Sequence, residues 1–213
     1  MKKVTIVALA ICLVAGLATP ASSQFFMSQF SDARTIPADA VWVGGGISIF
    51  SHSTMGLGGI VRIGVLDDLE IGARGGFVNF NADNGDDHIG LTLGGNALYQ
   101  ILDVKYGDPV DLATGLGIEY YDLPRDSTLL MFGNNSIISY PIELRTGQVL
   151  SPFFRLNLRF DNYSNHDPNT KFELGFGFGA QFDVSKYFSI FGEFVVASGR
   201  IDDGFVGGVS FGL

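Results

Sequence analysis

The chain has 213 residues, 46% of them hydrophobic, with 22 acidic against 13 basic side chains. A formal net charge of −9 argues against a nucleic-acid partner, because duplex binding relies on basic patches. The length suits one domain, and a single cysteine, Cys12, leaves no room for an internal disulfide.

Lys2 and Lys3 precede an apolar run from Val4 to Ala18, followed by Thr19-Pro20-Ala21-Ser22-Ser23. A basic start, a short apolar middle and small residues at the end predict a signal peptide over residues 1–23, cleaved near Ser23 or after Ala21. The run is short for a membrane-spanning helix, which needs about 20 apolar residues. Cys12 follows Ile11 inside the run, so a lipoprotein site is not expected. Cleavage would remove Lys2, Lys3 and Cys12 and leave a mature charge of −11 without thiol chemistry. Residues 24–40, with Phe25, Phe26, Phe30 and Pro37, read as a periplasmic N-terminal lead-in tucked partly under or into the structure that follows.

From residue 41 to 213 the chain repeats one device. Segments of about ten residues carry apolar groups at every second position and are joined by Asp-, Asn- and Gly-rich turns. In Lys171 to Phe182, Phe172, Leu174, Phe176, Phe178, Ala180 and Phe182 share one side; Lys171, Glu173 and Gln181 share the other with three glycines. The predicted strands are 41–50, 56–65, 69–80, 88–101, 110–121, 136–146, 151–162, 171–182, 187–197 and 204–213, nearly uniform in length. Pro141 lacks a ladder donor and predicts a bulge in the sixth. Compact turns are expected at 66–68, around 107–109, at Gly147-Gln148 and at 183–186, and longer polar connections at 81–87, 122–135 and 163–170. No apolar stretch after residue 24 approaches the length of a spanning helix. The fold expected is therefore an all-β, up-and-down antiparallel transmembrane barrel of ten strands, with eight as the alternative.

The phase assigns the faces. Arg62, Glu70, Arg74, Glu119, Glu143, Arg145, Arg155, Arg159, Glu173 and Glu193 form the expected lumen charge network, joined by Asn96, Asp111 and Asn157. The opposite face carries Leu57, Val61, Ile63, Phe77, Leu91, Leu116, Phe154, Phe160, Phe172, Phe194, Phe205 and similar groups, with Tyr99, Tyr120 and Tyr140 at interfacial positions. A charge facing lipid at mid-depth costs ~2–4 kcal/mol, so only one orientation is tolerable in a bilayer. A soluble barrel of lipocalin type would invert the faces; the charged face, rich in Gly and Arg–Glu mixtures and poor in Lys, speaks against it. Balanced inward charges predict a plugged or narrow lumen, with a narrow solute or ion channel as the alternative.

At the end of the chain, Gly208, Phe211 and Leu213 resemble the terminal insertion signal of bacterial outer-membrane proteins. The hairpins Gly64 to Gly72 and Val184 to Glu193 resemble those of small barrels of the OmpA/OmpW-like type. The resemblance implies an outer-membrane location, lipid and lipopolysaccharide as surroundings, and the barrel-assembly machinery as a partner. Its members include anchors, adhesins, pores and enzymes, so fold alone does not assign activity.

Asp161-Asn162-Tyr163-Ser164-Asn165-His166 is similar to the catalytic strand of lipid A deacylases of the PagL type, His-x-Ser-Asn with a Glu on the next strand. The resemblance would make Ser164 the nucleophile and Glu173 the orienting acid. Asn162 stands where the base should be, and a serine without a base is not activated. His52 and His88 read as loop residues. Asp83-Asn84-Gly85-Asp86-Asp87 lacks the ligand spacing of a calcium loop. The sequence therefore predicts a non-enzymatic protein with no catalytic residue, metal or cofactor and a structural or surface-interaction role.

Overall fold

The computed structural model describes residues 30–50, 54–80, 88–124, 127–164, 169–197 and 203–213. The signal peptide, His52, the 83–87 acidic run and His166 lie outside the described residues.

Ten long strands close into an antiparallel barrel: β1 (Val41–Phe50), β2 (Met55–Leu66), β3 (Leu69–Phe80), β4 (His88–Leu102), β5 (Asp111–Leu123), β6 (Ser127–Ser139), β8 (Val149–Ser164), β9 (Asn169–Ser185), β10 (Phe188–Ala197) and β11 (Gly204–Gly212). Between β6 and β8 lies a two-residue strand, β7 (Ile142–Glu143), paired to β8 alone. Each long strand pairs with its sequence neighbours. β1 pairs with β11 through Trp42↔Gly212 to Phe50↔Gly204, and β6 with β8 through Thr128↔Ser164 to Ser139↔Phe153. Closure leaves no free edge on a long strand, which a barrel in lipid requires.

The alternation places large apolar groups outside. Leu57, Phe77, Leu116, Phe132, Phe172 and Phe194 are each more than half exposed, while Glu70, Glu119, Arg155, Arg159 and Glu193 have 0–1% exposure. Outward rings stack across strands: Phe132 on Phe160 at 5.2 Å, Phe178 on Phe194 at 5.7 Å, Phe188 on Phe211 at 4.8 Å between centroids. Tyr99, Tyr120 and Tyr140 are exposed near strand ends. Among the described residues no helix is long and apolar enough to cross a membrane.

The strand limits at 41–50 and 69–80 match the sequence expectation. The sixth strand does not. It spans Ser127–Ser139 rather than 136–146, so most of the expected 122–135 connection is strand. Leu129 and Met131 point into the lumen and Leu130 and Phe132 outward; with both faces apolar, the period-2 signal vanishes. Within the expected connection, Asn135 lies inward opposite Asn157. Asn134 faces outward and donates to Thr114 Oγ1 and to the Gly115 carbonyl, both at 2.9 Å. Pro141 falls between β6 and β7, outside the barrel ladder, and marks where β6 ends rather than a bulge within it. Strand lengths run from 9 to 17 residues and are not uniform. The connections 103–110 and 140–148 are longer than the expected compact turns. The first holds a 3-10 turn, Val104–Tyr106, and the second the β7 hairpin.

Candidate functional site: a plugged and layered lumen

β1 begins and β11 ends at one mouth of the barrel, here called the turn end. Residues 30–39 run inside the lumen and lead out to that mouth before β1 begins. Phe30, Ser31, Asp32, Ala33 and Ile36 are buried. The segment is short and has no partner strand, so its backbone groups need partners supplied by the wall. Asp32 N–H donates to Gln181 Oε1 at 3.2 Å, Ala33 N–H to Ser139 Oγ at 3.2 Å, Thr35 N–H to Gln100 Oε1 at 3.0 Å and Ile36 N–H to Glu70 Oε2 at 3.1 Å. In return, the Ser31 carbonyl accepts from Arg155 Nη2 at 2.9 Å.

Arg34 locks this plug. Its Nε donates to Asp32 Oδ2 at 2.7 Å, and its Nη2 reaches Asp183 Oδ2 at 2.7 Å and Ser151 Oγ at 3.0 Å. Burial works against its charge, but Asp32 and then Asp183 outweigh that and hold its pKa above the ordinary arginine value. Where the plug leaves the lumen it crosses β2 at Gly64, whose position would put a Cβ 2.7 Å from the Pro37 carbonyl carbon. Asp39 then turns the chain with φ 63, a left-handed conformation Asp tolerates, and its N–H donates to the Gly64 carbonyl at 3.0 Å.

Charged pairs of the wall surround the plug and continue past it. Arg62 holds Glu70 in a fork, Nε to Oε1 at 2.8 Å and Nη2 to Oε2 at 2.6 Å. Arg155 on β8 reaches over β9 to Glu193 on β10, Nε to Oε1 at 2.7 Å. Arg159 Nε donates to Asp161 Oδ1 at 2.9 Å and stands opposite Glu173 in the register. Arg74 Nη2 approaches Asn96 Oδ1 at 3.4 Å, and Thr92 donates to Glu119 Oε1 at 3.1 Å. The space between Phe30, Arg74, Thr92 and Glu119 is about 10 Å³, roughly one water.

Toward the far end the lumen turns apolar. Phe50, Ile60, Val78, Tyr121, Leu129, Met131, Phe191, Val195 and Val206 form one buried cluster with Phe30, and every barrel strand except β4 and β9 contributes to it or packs on it. Phe30 of the plug meets Phe191 with centroids 4.9 Å apart.

Eight of the ten expected network residues are thus buried in the lumen. The other two, Glu143 and Arg145, are exposed on the β7 hairpin. The sequence pattern turns them inward only if the sixth strand continues through Pro141; with β6 ending at Ser139, the alternation does not carry on to them. The plug residues Asp32 and Arg34, their wall partners Ser139, Ser151 and Gln181, and the apolar cluster were not among the expected site residues. Gln181 did lie on the charged face in the sequence pattern. Arg34 is the only basic residue between positions 24 and 61, a hint that it has a fixed task.

At the chain end, Phe211 is exposed and stacked on Phe188, Leu213 N–H donates to the Val41 carbonyl at 2.9 Å, and Gly208 faces inward against Gly46. Ser164 accepts from Thr128 N–H at 3.1 Å and its hydroxyl meets the Thr128 hydroxyl. It shares the outward phase of Asn162, whereas Glu173 faces the lumen, so strand geometry sets Ser164 and Glu173 on opposite faces. His88 Nε2 lies 3.8 Å from Asp122 at the first residue of β4. Among the described residues no group of His, Cys, Asp and Glu is arranged to hold a metal.

No protein-family model matches the chain, and no curated protein matches its sequence. Among solved structures the fold is similar to the β-domain of the Bordetella autotransporter BrkA, at 13% identity and TM-score 0.52, covering 81% of this chain and 98% of that one. The N-terminal β-barrel domain of Pseudomonas aeruginosa OprF aligns at 14% identity and TM-score 0.38 over 84% of this chain and 100% of that one. A de novo designed transmembrane β-barrel aligns at 13% identity and TM-score 0.40 over 84% and 99%. At these identities the likeness is one of fold, and the BrkA domain carries it: this chain is a closed, ten-stranded, antiparallel up-and-down β-barrel.

Proposed function

We propose that the protein is a bacterial outer-membrane β-barrel that acts as a closed structural or surface-interaction element, not as an open pore or an enzyme. The observation that carries this reading is the radial order of the barrel. Side chains such as Leu57 at 61% and Phe77 at 58% exposure face outward, while the Arg155–Glu193 pair is fully buried inside. Water would penalise the first and lipid would penalise an outward version of the second. The lumen supports a non-conducting ground state, since the plug, the paired charges that bond to it and the apolar cluster that its Phe30 joins together fill the interior. Kinship to the OmpA/OmpW-like small barrels, insertion by the barrel-assembly machinery through Gly208, Phe211 and Leu213, and contact with lipopolysaccharide belong to the same proposal. So does the absence of lipid A hydrolysis, which Asn162 in place of a base and Glu173 on the face opposite Ser164 support.

Planar-bilayer recording of the purified protein tests the proposal. Silence across a range of voltages is the expected result. Regular single-channel steps would favour the narrow channel. Lipid A mass spectrometry of cells making the protein is expected to show intact acyl chains, and acyl loss abolished by Ser164→Ala would favour the hydrolase.

A further inference from the structure

The turn end of the barrel carries a cleft of about 1050 Å³ between the β2–β3 turn, the β4–β5 connection and the β7 hairpin, with Arg34 and Thr35 of the plug on its inner side. That is at the top of the range for ligand clefts. Its walls hold six carboxylates, Asp67, Asp68, Asp103, Asp108, Asp111 and Glu143, against two cations, Arg34 and Lys105. Arg34 is already committed to Asp32 and Asp183. Among the described residues none of the six carboxylates forms an ion pair.

Two further observations point to a ligand. Asp111 lies at the inner wall with its side chain buried; Oδ1 accepts from Val104 N–H at 2.8 Å, but Oδ2 has no partner. A buried carboxylate oxygen without a donor is costly, and a cationic donor entering the cleft would relieve it. The second is a free strand edge. Tyr140 N–H donates to the Pro152 carbonyl and Leu144 N–H to the Gln148 carbonyl, with Ile142 opposite Leu150 between them. The alternation of an antiparallel ladder then turns the N–H and C=O of Glu143, and the C=O of Pro141, away from β8. β7 ends the sheet there, with Glu143 and Pro141 among the residues that line the cleft.

We infer that this cleft binds an extended peptide segment bearing Lys or Arg side chains, its backbone pairing with the β7 edge and its cations meeting Asp111, Asp108 and Glu143. Backbone pairing supplies affinity without sequence demand, and the carboxylates select charge. The cleft opens at the lumen's mouth on the outer side of the plug, and the inference does not depend on whether the barrel conducts.

The test uses the purified mature protein in detergent and a fluorescent Lys-Val-Lys-Val-Lys peptide, read by polarisation at 50 mM and 200 mM salt. Saturable binding that weakens at the higher salt is expected, with Asp111→Asn and the exposed Glu143→Gln each weakening it by about tenfold, equivalent to about 1.4 kcal/mol. Asn and Gln keep the shape and an acceptor, and unchanged heat-modifiable gel mobility verifies that each variant is folded. A backbone N-methylated peptide and a Glu-Val-Glu-Val-Glu peptide are expected to lose binding. The inference is overturned if the lysine peptide fails to bind, if both variants bind it unchanged, or if the N-methylated peptide or spermidine binds as tightly, since the β7 edge would then contribute nothing.

Discussion

Arg155 and Glu193 sit on strands that are not neighbours, yet their side chains meet at 2.7 Å across β9 with neither exposed to solvent. They can do so because Gly177 on the intervening strand has no side chain; a Cβ there would run into the Glu193 carboxylate and lie 3.3 Å from Arg155 Cβ. The inward glycines of the sequence thus have a use: they are gaps through which long charged groups pair.

This relationship predicts an asymmetry between single and double substitutions. Glu193→Ala leaves Arg155 buried and uncompensated, which costs about 3–5 kcal/mol, whereas Arg155→Met with Glu193→Met recovers most of that loss. Urea unfolding in detergent checks both. Equal destabilisation by the single and the double variant would show that the pair is not the unit.

Gly177→Val is predicted to destabilise for a different reason. Its branched side chain competes with the Glu193 carboxylate for the same space, an overpacking cost of about 1–3 kcal/mol. A lower unfolding midpoint, with the charges still present, separates crowding from loss of the ion pair.

Removal of the plug is predicted to leave the barrel non-conducting. Deleting residues 24–36 takes away Arg34 and its bonds to Asp183 and Ser151, but Phe50, Tyr121, Leu129, Met131, Val195 and Val206 still meet across the lumen. Adding Leu129→Ser and Met131→Ser to the deletion is expected to give ion steps in a planar bilayer. Conductance from the deletion alone would mean that the apolar layer is not a second seal.

The outward face predicts one more outcome. Asn134 Nδ2 donates to Thr114 Oγ1 and the Gly115 carbonyl, and Ser136 Oγ donates to Asn134 Oδ1 at 2.9 Å. Asn134→Ala removes these bonds and leaves Thr114 Oγ1 and Ser136 Oγ paired only with each other, at 2.9 Å, a loss of about 1–3 kcal/mol. Asn134→Ser, which retains a donor, is expected to lose less in the same unfolding measurement.

Legibility in the sequence followed contrast between faces. Where one face was apolar and the other Gly or charge, as in 41–50 and 69–80, the strand limits emerged to the residue. β6 is not legible because Leu129 and Met131 are apolar on the lumen side, opposing Tyr121 and Glu119 across the ladder, so neither face contrasts with the other. Glu143 and Arg145 were misplaced by the same error of register. The plug could not be read from periodicity at all. Its contacts with the wall reach from Ile36–Glu70, 34 positions apart, to Arg34–Asp183, 149 apart, and nothing local encodes them.

The account rests on which face meets lipid, and tryptophan quenching by brominated acyl chains reads that directly. In a Trp42→Phe background, which removes the only natural tryptophan, Phe160→Trp places the probe outward and Tyr121→Trp places it in the lumen. Strong quenching of the first and little of the second in reconstituted vesicles is the predicted result. Equal quenching of both, or stronger quenching at position 121, would contradict it.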